Sequence, residues 1–301
     1  MKKNSVIMVF MTVIALGVAF FIVLSLASFL IRGKALSPMK PLPGLDRIAL
    51  VKVEGVLISS ERIVDEVKNY TEDSSIKAIV VRVDSPGGAV VPAQEIYEAL
   101  KNARTEGKKV VVSMGSVAAS GGYYIAAAAD RIVANPGTLT GSIGVKMEFA
   151  NLERLLEKIG VKGMVLKAGK YKDVGSPYRE MTAQEKELLQ NVIDDVHSQF
   201  IEAVAEGRNI PLQDIRAIAD GRIFTGRQAY ELKLVDQLGD LSASIQAAAD
   251  LAGIKGKPRM VSRERKTQFF DYLKQETASW IADVLSDAMG RNHTRLQYLY
   301  Q

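Results

Sequence analysis

Ser120 follows an apolar, β-rich run and precedes two glycines, which makes it the residue of this sequence best placed for covalent chemistry. It sits in Gly115-Ser-Val-Ala-Ala-Ser-Gly-Gly-Tyr-Tyr124, ahead of the apolar helical stretch Tyr123–Ala128. At a helix N-terminus a hydroxyl lies beside backbone N–H groups that lack intrahelical partners. Such amides can stabilise an oxyanion, and an adjacent glycine lets a substrate backbone come close. This geometry suits acyl transfer. The same pattern also describes an N-cap serine at a glycine turn, and local sequence slightly favours that structural role. Ser116 stands before the turn and reads as structural.

A second glycine turn, Val83-Asp-Ser-Pro-Gly-Gly88, also joins a strand to a helix, where open α/β sheets place ligand sites. Its amides could supply another oxyanion donor, although Ser-Pro-Gly-Gly is also an ordinary turn. Phosphate binding does not fit these turns. No Gly-x-Gly-x-x-Gly occurs, and Gly163 to Gly169-Lys170 has five intervening residues instead of four and Tyr171 where Ser or Thr is needed.

A serine nucleophile needs a base. The chain has only two histidines: His197, near the apolar side of a long helix, and His293, in the terminal tail. Neither adjoins a turn that would meet Ser120, and neither has metal-ligand spacing, so no metal is expected. With no cysteine there is no thiolate nucleophile and no disulfide framework. A lysine remains, because desolvation favours the neutral amine and Ser/Lys variants of the triad exist. Local sequence does not select which lysine. The net charge of +5 is modest and dispersed, which argues against nucleic acid as a partner.

The elements that would position these groups alternate. Ile48–Val53, Ala78–Val83 and Val110–Met114 read as strands, with further runs at Arg131–Ala134, Gly144–Met147 and Met164–Leu166. Ala93–Ala103 and Leu152–Ile159 have helical spacing. Met181–Glu206 reads as one long core-packing helix opened by the capping box Thr182-Ala-Gln-Glu185. Pro211–Ala219, Gly226–Leu232 and Leu241–Leu251 complete an α/β pattern with a largely parallel sheet.

The flanks differ. Between Lys3 and Arg32 no residue is charged, and Val6–Ile31 is long enough to span a bilayer, so residues 1–34 read as an uncleaved transmembrane anchor. Basic residues on both sides leave orientation undecided by charge. Residues 35–46, with three prolines between Pro38 and Pro43, read as a stalk. The α/β body is assigned to 47–254. Residues 255–301 form a basic linker and a tail whose segment 267–289 is amphipathic.

Four motifs in order, Asp84-Ser-Pro-Gly-Gly88, Met114-Gly-Ser-Val-Ala-Ala-Ser-Gly-Gly-Tyr-Tyr124, Thr140-Gly-Ser-Ile-Gly-Val145 and Lys170-Tyr-Lys-Asp173, resemble the short bacterial form of the signal peptide peptidase A family. The resemblance covers approximately residues 47–252. It implies Ser120 as nucleophile, Lys172 as general base, Ser142 as the serine that orients that lysine, and Gly88, with Gly87 and Gly121, as oxyanion donors. Lys170 and Asp173 are expected to be solvated neighbours.

The implied fold is the crotonase and caseinolytic-protease spiral of β-β-α units, in a ring-like homo-oligomer. The implied activity is a serine endopeptidase, without cofactor or metal, acting on cleaved signal peptides and other short or unfolded hydrophobic peptides. Placement is in the cytoplasmic membrane, with the N-terminus inside and the catalytic domain outside the cytoplasm. A crotonase-like acyl-CoA enzyme and a non-catalytic membrane scaffold are the alternatives.

Overall fold

The computed structural model describes residues 46–263. The expected anchor, the stalk up to Leu45 and the amphipathic segment 267–289 lie outside the described residues. Among those described, no helix is long and apolar enough to cross a membrane.

Parallel strands form the centre. β1 (Arg47–Glu54), β2 (Ile76–Ser85) and β3 (Lys109–Ala119) are joined through α1 (Glu61–Glu72) and α2 (Val90–Thr105). A six-residue helix, α3 (Gly121–Ala126), follows β3 directly. Next come β4 (Arg131–Ala134), β5 (Leu139–Gly141), α4 (Glu153–Lys158) and the long α5 (Ala183–Arg208). The chain continues through α6 (Leu212–Ile218), β6 (Ile223–Thr225), α7 (Gly226–Glu231), β7 (Gln237–Leu238), α8 (Leu241–Ala252) and β8 (Arg259–Ser262). The sheet runs β6-β5-β3-β2-β1-β8, with β4 branching from β3 to β7. Only the β5–β6 pairing is antiparallel among the described strand pairs.

Side chains alternate across the strands, so both faces of the sheet are apolar, as a helix-covered parallel sheet requires. Ala49, Val51 and Val53 of β1 join Ile79, Val81 and Val83 of β2 beneath α1, α2 and α3. Ile48, Ala78, Val80, Val111 and Val133 pack on the other face against Ala247, Ala248 and Ala249 of α8. Inside the helix layer Tyr123 is fully buried, and its hydroxyl donates to the Leu234 carbonyl at 2.9 Å. Burial pushes that phenol well above its ordinary value.

Several expectations change. Gly144–Met147 and Met164–Leu166 are not strands; they pair with no described strand. The segment read as a linker after Lys255 contains β8, which pairs with Arg47–Leu50 and extends the sheet beyond residue 254. Of α5, only the C-terminal half packs into the core, through Phe200, Ile201, Ala203 and Val204; Leu188 and Val192 are exposed. The α1 helix is absent from the sequence reading, although Ile63, Val67 and Tyr70 recur at helical spacing.

Candidate active site

β3 carries the chain straight into Ser120, and the backbone must reverse there to start α3. Ser120 has φ 53° and ψ −122°, a conformation rarely taken by a residue with a side chain. Such a residue costs on the order of 1–3 kcal/mol and persists only where its surroundings over-determine it. Three contacts do so here. Its N–H donates to the Gly141 carbonyl at 2.9 Å, its carbonyl accepts from Tyr124 N at 2.9 Å, and Gly87 packs against it. Ser120 occupies the N-cap position of α3, yet its side chain makes no capping hydrogen bond. The hydroxyl is therefore not spent on the structural role that local sequence favoured.

The glycine turn after β2 is brought to the same place. A Cβ on Gly87 would lie 2.7 Å from Gly121 N and 2.9 Å from Ser120 Cβ, so the two turns touch only because Gly87 has no side chain. Gly88, at φ 155°, is held by Leu57 in an isolated parallel bridge. Leu57 N donates to the Gly87 carbonyl and Ala89 N donates to the Leu57 carbonyl, each at 2.8 Å. In a parallel bridge the intervening residue directs its own N–H to the opposite edge. The Gly88 amide thus points away from Leu57. The Gly87 amide donates instead to Ser85 Oγ at 3.1 Å, so it is engaged within its own turn. Gly121, first residue of α3, lies 3.1 Å from Leu57 Cδ1 by the same Cβ measure, and its N–H belongs to the unpaired first turn.

Ser142 follows β5 at φ 51°, and its N–H donates to the Arg222 carbonyl at 2.8 Å. Ser120, Ser142, Gly88 and Gly121 line one cavity of about 590 Å³. Apolar side chains line part of it, Ala93 of α2, Tyr124 of α3, and Ile193, Val196 and Phe200 of α5, with Gln190, Asp194 and His197 of α5 beside them. The Tyr124 ring meets Tyr97 edge-on at 5.1 Å and Phe200 at 4.9 Å. Burial pushes both tyrosine hydroxyls up, and the rings offer a surface to an apolar side chain.

The structure does not bring all the expected residues together. Lys172 is exposed and is not among the residues lining this cavity. His197, which sequence reasoning set apart from Ser120, does line it. Its Nε2 is buried without a hydrogen-bond partner, so it is not bonded to the Ser120 hydroxyl. Asp173, expected to be solvated, is only 10% exposed and lies in an ion-pair cluster. Leu57, Tyr124 and Phe200 were not singled out as site residues; their place depends on long-range packing that no local spacing encodes. Among the described residues no cluster of acids and histidines could hold a metal ion.

The sequence profile of Peptidase family S49 matches residues 102–255, half of the chain, and the Clp protease profile matches residues 48–138. The chain belongs to peptidase family S49. A putative protease of Synechocystis is 49% identical over 209 residues, covering 69% of this chain and 75% of its own. A putative signal peptide peptidase SppA of Enterococcus faecium is 37% identical, covering 58% of this chain and 51% of its own. Protease 4 of Salmonella typhi is 38% identical over 77% of this chain and 35% of its own. The chain thus spans from about a third to three quarters of these relatives. The S49 protein is a serine peptidase with a Clp protease-like α/β fold and a mixed sheet.

Proposed function

We propose that this peptidase is a membrane-anchored Ser/Lys endopeptidase that hydrolyses cleaved signal peptides and other unfolded hydrophobic segments. One observation carries the reading. Ser120 is held in a strained turn with no side-chain capping bond, beside Gly88 and Gly121, in a cavity lined in part by apolar side chains. In the reaction, Ser120 Oγ attacks the scissile carbonyl while the free amine of Lys172 takes its proton. The Gly88 and Gly121 N–H groups hold the oxyanion, and Gly87 keeps the two turns in contact. The Lys172 ammonium then protonates the leaving amine as the C–N bond breaks, and the freed amine activates the water that hydrolyses the acyl-enzyme. Ser142 orients the lysine.

The sheet reads as the core of the crotonase and caseinolytic-protease spiral of β-β-α units. Assembly is part of the proposal. The segment that carries Lys172 exposes Met164 at 86% and Leu166 at 92%, together with Phe149, Leu155 and Ile159. Apolar surface of that extent marks an interaction site. A second copy, in a ring-like homo-oligomer, is the natural cover, and assembly is what brings a Lys172 amine to a Ser120 hydroxyl. The anchor at 6–31, with the catalytic domain outside the cytoplasm, concentrates the enzyme where signal peptides are released.

A second assignment of the base has its own observation: His197 lines the Ser120 cavity and Lys172 does not. Peptide hydrolysis by the detergent-solubilised full chain, compared with Lys172→Ala and His197→Ala, decides between them. The proposal expects loss with Lys172→Ala and activity within about threefold with His197→Ala. The reverse pattern would assign the base to histidine.

A further inference from the structure

The turn that carries Lys172 is fastened to α5 by one guanidinium, and α5 is also the helix that walls the Ser120 cavity. Arg179 Nε donates to Asp173 Oδ2 and its Nη2 to Asp173 Oδ1, each at 2.9 Å. The same side chain reaches the first turn of α5, where Nη1 donates to Glu185 Oε2 at 2.9 Å and Nη2 to Glu185 Oε1 at 2.6 Å. Both carboxylates are engaged through both oxygens by one planar fork, an arrangement that fixes direction as well as distance.

Each end of this link is itself tied down. Asp173 also accepts from Lys167, whose Nζ donates to the Lys170 carbonyl at 3.0 Å. Lys172 N closes the turn onto the Gly169 carbonyl at 3.3 Å, and Ser176 N onto the Asp173 carbonyl at 3.0 Å. At the other end Glu185 completes the capping box with Thr182. Lys170 Nζ adds a second tie to α5 through Gln184 Oε1 at 2.8 Å. Two turns further along, α5 presents Ile193, Val196, His197 and Phe200 to the cavity. Around this link the chain from Met147 to Val165 is mostly irregular, and α4 buries none of its residues. The turn therefore takes its position from the Arg179 fork together with the Lys167 and Lys170 ties and the Phe149 ring against Gly175, and not from a buried core.

We propose that Arg179 is a positioning residue for the general base: its fork between Asp173 and Glu185 sets where the Lys172 turn stands relative to α5, and so where assembly presents the lysine. The proposal rests on Lys172 being the base. Arg179 touches neither substrate nor the reacting atoms; it restricts the lysine to the arc from which a serine hydroxyl is reachable. A lysine in its place keeps the charge but cannot bridge two carboxylates bidentately.

The test uses the solubilised full chain and variants Arg179→Ala, Arg179→Lys, Asp173→Asn and Lys172→Ala, with Arg154→Ala as an exposed-charge control. The expected result is a fall of about 10- to 100-fold in kcat for Arg179→Ala, with KM within about twofold. Arg179→Lys recovers only a minor part, Asp173→Asn loses a comparable amount, and the limb of the pH–rate profile that reports the base moves in all three. Arg154→Ala stays within twofold. Melting curves and oligomer mass are recorded for each, so that Asp173→Asn and Arg179→Lys carry the test if Arg179→Ala does not fold. Loss of activity that only tracks loss of folded or assembled protein, with an unmoved pH limb, overturns the inference. An inactive Lys172→Ala beside a fully active Arg179→Ala overturns the inference and leaves the dyad standing. An active Lys172→Ala overturns both.

Discussion

The wall that holds Ser120 and the segment that holds Lys172 are built by opposite rules. β2, β3 and α3 place Ser120 by burial: Val83, Met114, Ala118, Tyr123 and Ile125 are inaccessible, and contacts from Gly87, Gly141 and Tyr124 hold the serine in its strained conformation. Residues 146–180 have almost no interior. Their order comes from ion pairs, turns and a helix cap, and their apolar side chains face outward. The proposed nucleophile is fixed by a core and needs no partner to be in position, whereas the proposed base is held by surface ionic links and, on that proposal, is completed by a second copy.

The largest expected effect falls on the buried side. Ser120→Ala should lower peptide hydrolysis by roughly 10⁴-fold or more with an unchanged melting temperature, while Ser116→Ala, four residues earlier and exposed on β3, should change it less than twofold. Steady-state hydrolysis and calorimetry on the pair check this. Equal losses would mean that the turn as a whole, and not the hydroxyl, was disturbed.

Within α5 the contrast repeats as stability. Phe200 is 4% exposed and meets the Tyr124 ring at a tilt, so Phe200→Ala should destabilise by about 3–5 kcal/mol. Val192, two turns earlier and 47% exposed, should cost less than about 0.5 kcal/mol as Ala. Chemical denaturation measures both. A large loss at Val192 would show that the N-terminal half of α5 is covered in solution.

On the exposed segment, Leu166→Glu together with Met164→Glu should reduce the assembled mass and lower activity by about 10- to 100-fold, with little change in the melting temperature of the separated chain. Light scattering and hydrolysis are read together. An assembly of unaltered mass would place the interface elsewhere.

The smallest effect concerns acid. Arg179 holds the Glu185 carboxyl down to about 2, with help from the Thr182 amide and hydroxyl. The Arg179 and Lys167 hydrogen bonds hold Asp173 well below the usual carboxylate range. A depressed carboxyl stabilises above its unfolded value, near 4, and loses that contribution as pH falls through its folded value. The melting-temperature gap between the wild-type chain and Arg179→Gln should therefore be widest above pH 5 and shrink below pH 3. A gap that widens on acidification would contradict the linkage.

Much of the fold is legible in the chain because its main elements are long enough to carry a signal. Ile48–Val53 and Ala78–Val83 are β-rich apolar runs of a sheet buried on both faces, and Ala93–Ala103 has helical spacing. Short runs mislead. Met164–Leu166 looks like a strand because three apolar residues carry no period, and only the strand pairing of the folded chain shows that it joins no described strand. β8 hides in a basic stretch because an edge strand of four residues, largely exposed, needs no apolar pattern.

The sequence alone determined which residue types are available: one serine between a β-run and a glycine pair, a Ser-Pro-Gly-Gly turn, no cysteine, and a Lys-Tyr-Lys-Asp motif whose order with the others marks the family. Only the tertiary structure decided which of these meet. Gly87 touches Ser120 because parallel strands β2 and β3 end side by side, a contact across more than thirty residues that depends on sheet register. The same folding left Lys172 outside that cavity and gave Arg179 two carboxylates to join, because ionic links of this kind depend on where turns come to rest.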